Sequence, residues 1–107
     1  MGVDKRVEKK RAHYALASVK AVFSDAGKLN RTFSSQQGAV DLDMDDDAVI
    51  AVIQALRPGD LDKSMTSHLD HKVWQDVYRP RHFGVPLYVK FTLDAKGSFL
   101  LISFKGE

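Results

Sequence analysis

The chain has 107 residues, the usual size of one domain, and residues 1–107 are expected to form one, burying roughly two-thirds of the unfolded surface. Its 44% hydrophobic and 28% charged residues, with a net charge of +2, fit an ordinary soluble globular protein, not a disordered or fibrous one. The lack of cysteine excludes disulfides and thiolate metal sites, and neither a membrane-length apolar run nor a signal-peptide core is present, so we expect a cytoplasmic protein without membrane contact.

Residues 1–10 are polar, lack an apolar period and are expected to fray. From Arg11, Ala15, Val19, Val22 and Ala26 fall at i, i+4, i+7 and i+11, with Leu16 and Phe23 beside them. This spacing predicts an amphipathic helix closed by Gly27 as its C′ residue. Lys28–Phe33 suits a short strand. Ser34 with Gln37 has the form of a capping box, opening a short helix to about Leu42 that Gly38 interrupts or loosens. The carboxylates Asp43, Asp45, Asp46 and Asp47 then open a third helix, whose buried face is Ala48, Val49, Val52, Ile53 and Leu56. Carboxylates in a first turn suit the unpaired N–H groups and positive dipole end of a helix. Pro58-Gly59 closes this half.

The second half changes period. Leu61–Met65 suits a short strand, and His71–Arg81, rich in β-branched and aromatic residues, a longer one with Pro80 near its end. Val85, Leu87, Val89, Phe91 and Leu93 alternate with Pro86, Tyr88, Lys90 and Thr92, the period of a half-buried strand. Asp94–Gly97 is a hairpin turn, and Phe99–Phe104 the returning strand. Helices first and antiparallel strands later give an α+β domain.

Charge is unevenly spread: residues 1–31 carry net +5, residues 32–60 net −5, and residues 61–107 net +2 with three of the four histidines. A basic face suits a polyanion. If Val85, Leu87, Val89 and Phe91 face the core, Tyr88 and Lys90 lie side by side on the opposite face. In the strand carrying Gln75 the alternation is ambiguous. Val73, Gln75, Val77 and Arg79 share one face, Trp74, Asp76 and Tyr78 the other, and neither is purely apolar. Polar groups of these types suit RNA cleavage. The 2′-hydroxyl attacks its neighbouring phosphate, and the enzyme supplies a proton acceptor, a proton donor for the leaving 5′-oxygen and donors for the phosphoryl oxygens. The group His68, Asp70, His71 and Asp76 matches no metal signature, and Trp74 reads as core before it reads as a stacking platform. No P-loop, dinucleotide fingerprint or nucleophile elbow is present.

The string Lys63-Ser64-Met65-Thr66, Asp70-His71, then Trp74-Gln75-Asp76-Val77-Tyr78-Arg79-Pro80-Arg81, continuing through Tyr88 and Lys90 to Ile102-Ser103-Phe104-Lys105, resembles the signature of the MqsR (motility quorum-sensing regulator) toxins, with likeness beginning near Arg11. The resemblance implies a RelE-like fold, in which N-terminal helices pack on a curved antiparallel sheet. It implies the toxin of a type II toxin–antitoxin system, an mRNA interferase that cuts free mRNA at GC-containing sites such as GCU without metal, cofactor or ribosome. It implies an MqsA-like antitoxin with a zinc-binding N-terminal domain and a helix-turn-helix C-terminal domain, through which DNA is met only indirectly. Lys63, Gln75 and Tyr88 fall on the family's catalytic positions, while Arg79, Arg81, Lys90 and Lys105 would hold RNA. Asp62 departs from a frequent tyrosine, and the turn Asp94–Gly97 lacks a histidine seen in a relative. The competing readings are a catalytically inactive RNA- or antitoxin-binding module acting in transcriptional autoregulation, and a metal-dependent nuclease using His68, Asp70, His71 and Asp76.

Overall fold

The computed structural model describes residues 6–107. Three helices, α1 (Leu16–Val22), α2 (Phe33–Asp41) and α3 (Asp46–Gln54), cover one face of an open antiparallel sheet. Its strands are β1 (Glu8–Lys9), β2 (Leu61–Thr66), β3 (Trp74–Tyr78), β4 (Arg81–His82), β5 (Val85–Leu93) and β6 (Phe99–Gly106). The order runs β1-β2-β3-β5, with β6 on the far edge of β5 and β4 also paired to β5. Beyond Pro80, β4 continues the line of β3 along β5, since Val89 faces Tyr78 and Pro86 faces Arg81. The α+β class expected from the order of periods is the observed one.

Several expected elements differ in detail. The first helix is shorter than its apolar pattern and uses a different stripe: Leu16, Val19 and Phe23 turn inward, while Ala15 and Val22 are exposed. Both stripes have i, i+3/i+4, i+7 spacing, and the one that buries a phenyl ring removes more apolar area from water. Gly27 is not a helix C′ residue; it sits in a 3₁₀ turn, Ala26–Lys28, capped by the Asp25 side chain. The strand expected at Lys28–Phe33 reduces to one parallel bridge, Arg31 to Leu101. Thr32 then caps α2 by accepting from the Ser35 N–H at 3.1 Å, in place of the capping box expected at Ser34. Of the segment expected to fray, residues 1–5 lie outside the described residues, and Glu8–Lys9 form the edge strand β1 against Met65 and Ser64.

Gly38 does not loosen α2. It lets α2 lie directly on β6, since a Cβ there would collide with the Phe104 carbonyl. The acidic run divides. Asp43, at φ 59°, is the left-handed C′ residue that ends α2, with Met44 N–H bonded back to the Ala39 carbonyl, a Schellman closure. Asp45 caps α3 through the Ala48 N–H at 2.8 Å, and Asp46 and Asp47 fill its first turn. The core joins Val19 of α1 and Phe23 just beyond it, Val49, Val52 and Ile53 of α3, Tyr78 of β3, Leu87, Val89 and Phe91 of β5, and Leu101 and Phe104 of β6. That leaves the other face of the sheet without a helix.

The hairpin β5–β6 is the expected one. Gly97 adopts φ 79° in its turn, and Asp94 accepts from the N–H groups of Lys96 and Ser98. The segment expected as one strand over His71–Arg81 is a turn to Val73 followed by β3 and β4 on either side of Arg79-Pro80.

Candidate active site on the uncovered face of the sheet

Cross-strand pairing decides which side chains share the uncovered face, because directly opposed residues point the same way. Lys63 faces Val77, Met65 faces Gln75, Val77 faces Lys90, Lys90 faces Ser103 and Tyr88 faces Lys105. The ambiguity in β3 is thereby resolved: Gln75, Val77 and Arg79 belong with Tyr88 and Lys90, while Trp74, Asp76 and Tyr78 lie on the helix side. Val77 is nonetheless fully buried, roofed between strands whose neighbouring residues are Lys63 and Lys90. A buried valine on a polar face is what made the alternation unreadable.

A β-bulge makes this assembly possible. In β2 the register shifts between Leu61, opposite Tyr78, and Lys63, opposite Val77. Without it Leu61 and Lys63 would share a face. With it Leu61 packs against the core cluster and Lys63 reaches the uncovered side. Asp62, the extra residue of the bulge, meets Arg79 Nε at 3.3 Å. A bulge that re-aims a side chain is a recurrent device beside functional sites.

Tyr88 is the centre. The guanidinium carbon of Arg79 lies 5.6 Å from its ring centroid, Lys90 Nζ 5.9 Å and Lys105 Nζ 5.2 Å. These are cation–π distances, at which the ring quadrupole attracts each cation. Lys63 donates to Glu8 Oε1 at 3.1 Å, and Arg79 also meets Glu107 at 3.1 Å. Burial of Lys90 lowers its ammonium pKa from the ordinary lysine value, and the nearby charges of Lys105, Lys63 and Arg6 lower it further. The face thus gathers cations in a half-desolvated setting, partly offset by Glu8, Asp62 and Glu107.

Of the expected residues, Lys63, Arg79, Tyr88, Lys90 and Lys105 form this cluster. Gln75 lies on the same face toward the β1 edge, opposite Met65. Arg81 lies at the other end, opposite Pro86, and donates to the Gly84 carbonyl at 3.2 Å. Glu8 and Glu107 were not singled out by sequence. Both sit on polar edge segments whose pairing partners lie far away in the chain, so no local pattern marks them.

Trp74 and the His/Asp group lie elsewhere. Trp74 is half-buried on the helix side, stacked on His13 at 4.9 Å and 11° with Lys9 Nζ 4.2 Å above it, so it anchors the N-terminal segment. Asp76 is buried, and its two carboxylate oxygens accept from the backbone N–H groups of His13 at 3.0 Å and Tyr14 at 2.9 Å. It is a strut, separated by burial from the exposed His68, Asp70 and His71. Among the described residues no group of three or more potential metal ligands converges, and no helix is long and apolar enough to cross a membrane.

Residues 11–106 match the family model described as motility quorum-sensing regulator, toxin of MqsA. The chain belongs to this family of toxins. Over 99 residues it is 39% identical to the mRNA interferase toxin MqsR of Escherichia coli strain K12, covering 92% of this chain and 98% of that protein. The matched family segment begins after Glu8, so β1 and its carboxylate on Lys63 lie outside it.

Proposed function

We propose that this toxin is an endoribonuclease that cuts mRNA at short GC-containing sequences, GCU-like in kind, without a metal ion or the ribosome, and so arrests translation and growth. The observation that carries the reading is the convergence of Arg79, Lys90 and Lys105 on the Tyr88 ring, with Lys63 beside them on the same face. Such a cluster is a ready site for a phosphodiester. Lys63 and Arg79 supply donors for the non-bridging oxygens as charge grows on them.

In the reaction, the 2′-oxygen bonds to phosphorus, the bond from phosphorus to the 5′-oxygen breaks, one proton leaves the 2′-hydroxyl and one reaches the 5′-oxygen. The products are a 2′,3′-cyclic phosphate and a 5′-hydroxyl. Lys63 steadies the phosphate or moves a proton, Tyr88 acts as an acid–base or orienting group, and Gln75 positions the substrate. Arg79, Arg81, Lys90 and Lys105 hold the strand. Each positioned proton donor or acceptor contributes typically about 10²–10⁴-fold. The partner is an MqsA-like antitoxin with a zinc-binding N-terminal domain and a helix-turn-helix domain, through which the pair meets DNA; the toxin domain spans residues 1–107 and acts in the cytoplasm.

The test is to purify Lys63→Ala, Gln75→Ala and Tyr88→Phe and follow cleavage of a defined RNA. A fall of about 100-fold or more in rate is expected from the lysine and tyrosine variants, with circular dichroism and melting unchanged. Folded variants with wild-type rates would remove these roles.

A further inference from the structure

Beside the cluster, where the end of α3 and the 3₁₀ turn Pro58–Asp60 meet the β3–β4 connection, lies a cleft of about 450 Å³. Its lining includes Arg57, Arg79, Arg81 and His82, over a small apolar floor from Val52 and Ala55. Arg79 belongs to both places, lining the cleft and standing against the Tyr88 ring. The cleft therefore adjoins the candidate active site at Arg79, with His82, opposite Val85, on the helix side of the sheet.

The carboxylate in the cleft, that of Asp60, is hydrogen-bonded through one oxygen. Asp60 Oδ2 accepts from the Arg57 backbone N–H at 2.8 Å, and the Asp60 carbonyl accepts from the Arg79 N–H at 2.8 Å. The Arg57 guanidinium meets Asp60 only at 4.0 Å, and its side chain is 82% exposed, so that pair contributes little and holds the guanidinium weakly. The cleft thus presents the weakly held Arg57 guanidinium and the His82 imidazole, with Asp60 also in the lining, around a small apolar floor. Guanidinium forks match phosphate oxygens in pairs, and guanidinium and imidazole planes stack on unpaired bases. The volume is within the range of small-molecule sites, about 300–1,000 Å³, room for a nucleotide unit.

We propose that this cleft is a second RNA subsite, with Arg57 and His82 gripping the single strand that flanks the cut after it passes Arg79. The inference rests on the ribonuclease reading and adds a strand path and two residues to it. Arg57 and His82 then strengthen binding of long RNA and leave the chemistry at Tyr88 untouched.

The test compares two oligoribonucleotides with the same cleavage site, one barely spanning it and one extended by about six nucleotides on each side, within the site sizes of single-strand binders. Wild type and the double variant Arg57→Gln/His82→Ala are assayed for KM and kcat, with thermal melts to confirm folding. The double variant is expected to raise KM for the long RNA roughly tenfold, to hold kcat, and to leave the short RNA unaffected. The slope of log affinity against log salt should become shallower by about 0.7 for each phosphate that the variant no longer neutralises. An unchanged long-to-short ratio, with wild type cutting both, overturns the subsite. An unchanged ratio together with weakened antitoxin binding overturns it in favour of a protein-binding surface. If wild type cuts neither RNA, the ribonuclease reading fails and the subsite fails with it.

Discussion

Asp62→Asn is expected to tighten RNA binding. Arg79 carries two carboxylates, Asp62 at 3.3 Å and Glu107 at 3.1 Å, and a phosphate arriving on its free edge must tolerate both. A phosphorus bound there would sit roughly 7 Å from the Asp62 carboxylate, one guanidinium width plus two hydrogen-bond lengths. Arg79 is 49% exposed, so an effective dielectric between about 40 and 80 applies, giving about 0.6–1.2 kcal/mol of repulsion before screening. Physiological salt, with a Debye length of about 8 Å, roughly halves this. The isosteric amide keeps an acceptor for Arg79 while removing the charge, so KM should fall about twofold to threefold with kcat held. The assay is initial-rate cleavage of a labelled oligoribonucleotide at about 0.15 M salt, repeated near 1 M, where the difference should vanish. A KM that is unchanged or raised at low salt, or a gain that persists at high salt, would refute the electrostatic account of Arg79.

Other parts of the molecule give further expected outcomes. Gly38→Ala should destabilise the fold by about 1–3 kcal/mol, the usual cost of overpacking, because α2 lies against the Phe104 carbonyl; urea unfolding measures it, and wild-type stability would contradict the close approach. Lys105→Gln should move the titration of Lys90 upward toward the ordinary lysine value, since Lys105 is the strongest-acting like charge after burial; side-chain NMR of Lys90 reads the midpoint, and no movement would mean that the two ammonium groups do not sense each other. Burial, and then Asp76, push the Tyr78 hydroxyl up to about 12. A raised pKa means the fold favours the protonated phenol, so this contribution is complete below the unfolded value of about 10 and is lost as pH rises from there through about 12. Tyr78→Phe should flatten that limb of an alkaline stability profile, and an identical limb in the variant would assign it to another group.

The hairpin β5–β6 and its consequence, Tyr88 and Lys90 together on one face, were legible in the sequence because a strict period of two and a Gly97 turn are local signals. The start of α3 was legible for the same reason, its carboxylates falling where unpaired N–H groups need them. The inward stripe of α1 was not, because two apolar stripes offset by one residue compete and only packing against Phe91 and its neighbours chooses between them. The face of Gln75 needed the pairing with β2 and β5. The bulge at Asp62 has no sequence signature here, yet without it Lys63 would point into the core side. Glu8, Glu107, Arg57 and His82 gain their positions from contacts between distant parts of the chain, beyond the reach of any window along it.

The most direct test of the central claim is to incubate the purified toxin, free of antitoxin, with a long defined mRNA in excess EDTA and to map and chemically type the new ends. Cuts at one recurring short sequence, carrying 5′-hydroxyl and 2′,3′-cyclic phosphate ends and absent with Lys63→Ala, are the predicted result. Intact RNA from a folded protein, or cuts that appear only when a divalent metal is restored, would contradict it.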